Sequence, residues 1–327
     1  MINSQKIKKI SKDAGADIVG IASMDRWEGA PKQMDPRYIH PNAKSMIVLG
    51  FRHFRGLFRG IEEGTFFSLY SSMGYAGING TYQPLVLWKI GKVIEDNGYE
   101  AVCIPNRCLW GNTDASGIEP EKTGKENYAH SRPVENVKPA PNIFVQVRIA
   151  AFLAGLGEIG WSKMFLSPEF GPRQRLALII TDAQLDPDPL YNGPPLCDRC
   201  MMCANACTNN AIPRDKTIKI TLAGREIEWA DIDMLKCSYG FCGSSEFHNP
   251  FMVTEEDKKK FNSEKRIEAR DYKINPIDGY SRALEGASGC IRACMIHLEQ
   301  KRKIKNLFNN KFRRKKPWKL DKIAASD

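Results

Sequence analysis

Short apolar runs of strand length alternate with helical periods along the first part of this chain. Residues Ser4 to Asp13 read as a helix, and Asp17 to Ala22 (DIVGIA) and Ser45 to Phe51 (SMIVLGF) are apolar runs bounded by turn or polar residues, which predict strands. Leu85 to Glu95 (LVLWKIGKVIE) spaces its apolar residues for a buried helix face, Asn97-Gly98 ends it, and Tyr99 to Ile104 (YEAVCI) starts another strand. Ile143 to Leu156 predicts a helix stopped at Gly155 and Gly157, and Arg175 to Thr181 (RLALIIT) a buried strand. The alternation predicts an α/β fold. Between them, Gly111 to Pro141 is polar, holds several prolines and shows no period, so it reads as a long loop of the kind that lines a site. After Asp186 prolines cluster (DPDPL, GPP) before a cysteine-rich segment, which predicts a domain boundary near residue 187.

The 327 residues, 42% of them hydrophobic, suffice for one large domain or a domain plus a small module. No apolar run reaches the roughly 18 to 20 residues that span a bilayer. The N-terminal MINSQKIKKISKDAG lacks the apolar core and cleavage site of a secretion signal, so the expected location is the cytoplasm. The formal charge of +10 is uneven: Lys301 to Asp327 holds eleven Lys or Arg and two Asp, a net +9, so the basic character belongs to a tail.

Ten cysteines in a chain without a secretion signal point to metal rather than to disulfides, because the cytosol keeps thiols reduced. Cys197, Cys200, Cys203 and Cys207 have the spacing C-x2-C-x2-C-x3-C, in which a tight loop directs three thiolates at one 4Fe-4S cubane. In two-cluster ferredoxins the fourth cysteine ligates the other cluster, and a second short motif reciprocates. Here that motif is Cys290-x3-Cys294, so the first cluster takes Cys197, Cys200, Cys203 and Cys294. The second has Cys207 and Cys290 and is completed by Cys237 and Cys242, the remaining cysteines of the module. Zinc on a C-x2-C pair is the competing reading, but structural zinc needs four ligands, and eight cysteines in this order match two cubanes. Cys103 and Cys108 lie far upstream and read as buried or loop thiols, with a place beside a cofactor as the alternative.

The run Ala154 to Gly160 (AGLGEIG), then Ser167 to Asp182 (SPEFGPRQRLALIITD), then the double-cluster cysteines, resembles the superfamily of cobalamin-dependent reductive dehalogenases and epoxyqueuosine reductases. Pro41 to Phe51 (PNAKSMIVLGF) and Gly98 to Asn106 (GYEAVCIPN) are similar to the same family, so the resemblance covers roughly residues 10 to 298. It implies a nitroreductase-like α/β domain over residues 1–186 that holds a corrinoid (cobalamin), a ferredoxin-like two-cluster module over 187–299 that feeds it electrons, and a basic tail over 300–327. It implies a ferredoxin or flavodoxin as electron donor and a small-molecule substrate reduced at cobalt.

Three positions depart from the family pattern. Where epoxyqueuosine reductases carry an acidic proton donor, seven residues before the arginine that matches Arg148, this chain has Pro141, followed by Asn142. Trp161 replaces the basic residue that follows the GLGxxG motif, and Ala287 stands where the second cluster motif has its first cysteine, for which Cys242 substitutes. The first two make epoxyqueuosine, and with it tRNA, the weaker substrate reading. Tyrosine is then the donor type, and Tyr75, Tyr82 and Tyr128 are candidates; Tyr128 leads because its loop (ENYAHSRP) also holds His130 and Arg132.

Gly155, Gly157, Gly160 and Gly171 read as close approach of backbone to a large flat ligand or as turn geometry, with Trp161 and Asn142 beside the cofactor. Glu169 is expected to pair with Arg173 or Arg175 to hold the SPEFGPR turn. The tail interleaves basic residues with Phe308, Phe312 and Trp318, which suits nucleic-acid phosphates, an anionic membrane surface, an acidic electron-donor partner or plain solvation. The leading reading is a corrinoid-dependent iron-sulfur reductase of the dehalogenase type. An iron-sulfur electron-transfer protein without corrinoid catalysis, and a corrinoid carrier, are the alternatives. If Cys242 is the substituted ligand, Cys242→Ala lowers the iron content and alters one cluster's spectrum; about eight irons per chain and unchanged signals would exclude that role.

Overall fold

The computed structural model describes residues 2–63, 68–106, 134, 143, 145–241 and 286–313. The expected mixed α/β fold is present, built on a four-stranded antiparallel sheet in the order β1-β2-β6-β3. Chain order is α1 (Ser4–Ala14), β1 (Ile18–Ser23), β2 (Ser45–Arg52), the single turns α2 (Arg59–Glu63) and α3 (Ser68–Ser71), a π-helical stretch Ser72–Tyr82, α4 (Gln83–Glu95) and β3 (Ala101–Ile104). Then come α5 (Val147–Leu153), the two-residue strands β4 (Glu158–Ile159) and β5 (Phe165–Leu166), and β6 (Gln174–Thr181). The cysteine-bearing part holds α6 (Met202–Asn205), the hairpin β7 (Thr217–Leu222) and β8 (Arg225–Ala230), α7 (Met234–Phe241) and α8 (Gly286–Gln300).

The sheet is buried on both faces, which is why its central strands read as continuous apolar runs and not as alternating ones. Successive side chains still point to opposite faces. Met46, Val48, Leu176, Leu178 and Ile180 join α5 and the hairpin's Leu222, Ile227 and Trp229 in one core. Ile47, Leu49, Phe51, Ala177 and Ile179 join Ile7 of α1 and Val86, Leu87, Ile90 and Ile94 of α4 in the other. Packing therefore crosses residue 187: the hairpin belongs to a core shared with the sheet, and Asp188 accepts from the Ile21 amide at 2.9 Å while its carbonyl takes the Arg26 guanidinium at 2.7 Å. The expected helix from Ile143 starts only at Val147, where the Gln146 side chain caps the Arg148 amide at 3.4 Å.

A third core joins Leu57, Phe58, Ile61 and Tyr70 to Ile291, Met295 and Leu298 of α8 and to Ile304 and Phe312 beyond it. The first part of the basic segment is thus not a solvated tail. Glu62, whose side chain is buried, explains its path: its carboxylate takes Arg55 at 2.5 Å and the Arg313 amide at 3.0 Å, with Arg292 of α8 at 3.8 Å. Arg55 also lies 4.0 Å from the centre of the Phe312 ring. Among the described residues no helix is long and apolar enough to cross a membrane.

His53 is fully buried beside Phe58 and Tyr70, with ring centroids at 6.1 and 5.4 Å. Burial, and then the nearby Arg175, push its pKa from 6.5 down to about 3, so the folded protein holds it neutral. The unfolded chain binds that proton below pH 6.5 and the folded one does not, so this contribution to stability is intact above pH 6.5 and is lost as pH falls toward 3. Between pH 7 and 5.5 the protein is expected to lose about 1 kcal/mol more in urea unfolding than His53→Gln does. Equal losses would show that His53 takes up its proton without unfolding.

Candidate metal centre

The cysteine loop is shaped by backbone that L-residues rarely adopt. Arg199 (φ 55°) and Met201 (φ 58°) are left-handed on either side of Cys200, so the chain reverses sharply enough to turn successive thiols the same way. Met201 precedes α6, which carries Cys203; Cys207 follows the helix. Amide groups point at these sulfurs: the Trp161 amide donates to Cys197 Sγ at 3.3 Å and the Ala211 amide to Cys207 Sγ at 3.2 Å. Such N–H···S contacts are of the kind that surround metal-bound sulfur.

Cys290 and Cys294 stand four residues apart on α8 and so share a face. Burial raises both thiols far above the usual range, and the next influences identify their neighbours. For Cys294 these are Cys203, Cys197 and Cys200; for Cys290 they are Cys237, Cys203 and Cys207. The cysteines of α8 thus come to the cysteine loop: Cys197, Cys203, Cys207 and Cys290 border one apolar cluster, and Cys290 and Cys294 border another with Met202 and Phe241, an arrangement that allows the groups 197/200/203/294 and 207/237/290. Cys203, itself pushed to about 11 by burial and by Cys197, lies where the groups meet. Among the described residues none of these cysteines is in a disulfide. Four soft donors gathered in one place suit an iron-sulfur cubane, whose positive metal ions offset the repulsion among thiolates. Cys242 lies outside the described residues.

Exposure differs between the groups. Cys200 is exposed, and with Asp198 and His297 its ligand atom falls within a triad whose members are all within 4.8 Å. His297 Nε2 meets Asp198 Oδ2 at 2.8 Å, and Lys303 reaches the same oxygen at 3.3 Å. Cys207, Cys237 and Cys290 of the second group are all half-buried. Tyr75 packs on Phe241 of α7 at 5.1 Å, and the Arg175 guanidinium lies over its ring at 4.3 Å.

Other expected site residues fall as follows. Trp161 is buried beside the first group, its indole donating to the Pro213 carbonyl at 3.0 Å under Arg199. A Cβ at Gly155 (φ +73°) would lie 2.0 Å from the Pro189 carbonyl oxygen, and one at Gly157 would lie 2.0 Å from that of Leu166. The chain's own packing therefore accounts for both glycines, whereas Gly160 touches Leu166 and Cys197. Tyr82 is 45% exposed and donates to the Gly15 carbonyl at 3.1 Å, on the α1 side of the fold.

Cys103 is half-buried and donates to the Leu87 carbonyl; burial first and then Glu95 raise its pKa to about 11, as for a structural thiol. Glu169 does not pair with Arg173 or Arg175: it takes Lys305 at 3.0 Å, while Arg173 binds Asn306 Oδ1 at 2.6 Å and Arg175 binds Asn79 Oδ1 at 3.0 Å. Those partners come from segments that local pattern could not place there. Tyr128, Pro141, Asn142 and Cys108 lie outside the described residues. Sequence reasoning passed over Tyr70 and Glu158. The first carries no signal in its polar segment; the second, whose carboxylate takes the Cys197 amide at 2.5 Å, stands inside the GLGEIG run.

The arrangement defines a mixed α/β protein with clustered soft donors. The chain matches no family model. It is 39% identical over 72 residues to the tetrachloroethene reductive dehalogenase of Desulfitobacterium hafniense, covering 21% of this chain and 13% of that protein. It is 34% identical over 105 residues to that of Sulfurospirillum multivorans, covering 28% and 20%. The chain thus spans no more than a fifth of the length of these curated relatives.

Among solved structures it is similar to a catabolic reductive dehalogenase (19% identity, TM-score 0.48, covering 85% of this chain and 35% of that one). It is also similar to epoxyqueuosine reductase from Bacillus subtilis (14%, TM-score 0.44, covering 90% and 80%). Over the stretches matched to the curated relatives, the chain shows partial, divergent homology to reductive dehalogenases.

Proposed function

We propose that this protein is a corrinoid-dependent iron-sulfur reductase of the reductive dehalogenase type, in which two 4Fe-4S clusters pass single electrons toward cobalt for reductive cleavage of a small molecule. The observation that carries the iron-sulfur part is the convergence of two cysteine groups from positions nearly a hundred residues apart in the chain. The first cluster takes Cys197, Cys200, Cys203 and Cys294; the second takes Cys207, Cys237 and Cys290, with Cys242 as fourth ligand. Residues 1–186 form the nitroreductase-like corrinoid-binding domain and 187–299 the ferredoxin-like module. A ferredoxin or flavodoxin supplies the electrons, in the cytoplasm.

The corrinoid part rests on the sequence relation to reductive dehalogenases. Low-valent cobalt, when bound, supplies a strong nucleophile or one-electron donor toward a polarised bond. Gly160, Trp161 and Asn142 remain the chain's candidate contacts. Gly155 and Gly157 do not by themselves form a cradle, because the atoms that crowd them belong to the chain. Tyr75, held beneath Arg175, and Tyr128 are the candidate proton donors. The same crowding at Gly155 and Gly157 favours a second reading, an electron-transfer protein that keeps the clusters without corrinoid chemistry.

Anaerobic purification with added cobalamin, followed by desalting and a visible spectrum, separates the two. The reductase is expected to retain about one corrinoid per chain, with its own absorption bands above those of the clusters. Intact clusters with no retained corrinoid would leave the electron carrier standing.

A further inference from the structure

The segment that leaves α8 runs past the exposed side of the cysteine loop. Cys200 is exposed, and its sulfur, an Asp198 carboxylate oxygen and a His297 ring nitrogen all lie within 4.8 Å of one another. His297 stands in the last turn of α8, and Lys301, four residues on, donates its amide to the His297 carbonyl at 3.0 Å. Arg302 (φ 52°) is left-handed and turns the chain. Lys303 then ties it to the cysteine loop, its Nζ donating to the Pro195 carbonyl at 2.9 Å and to Asp198 Oδ2 at 3.3 Å. Lys301 and Arg302 are therefore held near Cys200 by contacts on either side of them.

Both residues are exposed, and among the described residues neither side chain meets a carboxylate. The carboxylates of this region are already taken up by the chain. Asp198 meets His297 and Lys303, Glu158 accepts the Cys197 amide, Glu299 accepts the Phe312 amide, and Glu169 takes Lys305. The surface at Cys200 thus presents unbalanced positive charge, which draws an acidic partner and speeds its encounter. Nucleic acid is also drawn by such charge, but it binds best where exposed rings stack its bases. The described aromatic residues of this segment are engaged instead: Phe312 is 6% exposed and packs on Phe58 at 5.5 Å, and Phe308 lies under the Arg173 guanidinium at 4.7 Å.

We propose that Lys301 and Arg302 form the docking surface for an acidic one-electron donor of the ferredoxin or flavodoxin class, which delivers its electron at Cys200. This rests on the iron-sulfur reading above. One electron leaves the donor and one enters the cluster, and no bond is made or broken.

The test uses the anaerobically purified holoprotein, with iron counted on each sample, and an acidic ferredoxin and an acidic flavodoxin as probes. Calorimetry at low ionic strength measures binding of each oxidised probe, and stopped flow measures reduction of the clusters by each reduced probe. Wild type is expected to bind at least one probe, with an affinity that falls as salt rises. Lys301→Glu with Arg302→Glu weakens that binding, and slows reduction by the same probe, about tenfold or more. Photoreduced deazaflavin, a small neutral reductant, still reduces this variant at the wild-type rate. Lys301→Arg with Arg302→Lys, which keeps the charge, retains binding. Lys6→Glu with Lys89→Glu, the same change of charge on exposed positions of α1 and α4, alters binding less than about twofold. Equal losses in the two charge-reversed proteins, no loss in the first, or no binding of either probe by wild type would overturn the proposal. So would binding of a single-stranded RNA through Lys301 and Arg302 in place of the probes. A wild type that holds no iron, or that deazaflavin cannot reduce, would instead contradict the iron-sulfur reading.

Discussion

Cys290 and Cys294 face Cys203 from one side of α8, and burial opposes ionisation of all three. Thiolates this close repel in a medium of low dielectric, and thiols buried this deep find few acceptors. A metal cluster resolves both conditions, because it removes the protons and supplies the compensating charge. On the proposed reading this requirement organises the rest of the cysteine-bearing part. Left-handed residues turn the loop, amides aim at sulfur, and α8 must be held at a fixed distance from α6.

What holds α8 there is a charge network seated far away in sequence. Buried Glu62 gathers Arg55, Arg292 of α8 and the Arg313 amide, and Glu299 of α8 accepts the Phe312 amide at 3.0 Å. A carboxylate without these donors would be strongly unfavourable in that place. The network clamps α8 between the early segment that carries Arg55 and Glu62 and the strap that follows the helix. The sheet, by contrast, needs no charges: alternate residues of β2 and β6 fill two apolar cores and fix the register. Its β6 strand then delivers Arg175 to the ring of Tyr75, which packs on Phe241 of α7.

Legibility followed the range of the forces involved. Strands β1, β2 and β6 and helix α4 were readable within a residue or two, because a local apolar period is enough to specify them. The cysteine loop stood out because a cubane demands short, fixed spacings, and the assignment of its cysteines to two clusters belongs to the proposed reading. Glu169 was paired with the wrong cation, because Lys305 arrives from the far side of α8. Segment 301–313 looked like a solvated tail for the same reason: Phe312 and Arg313 are buried or bound only through partners such as Arg55 and Glu62.

The central claim is that this one chain holds two cubanes through two adjoining cysteine groups. Native mass spectrometry of the anaerobically purified protein tests it most directly, because the mass added to the apo chain counts iron and sulfide together. The account predicts a dominant species heavier by two Fe4S4 units. A species carrying one Fe4S4 unit, or zinc, after full anaerobic reconstitution would contradict it.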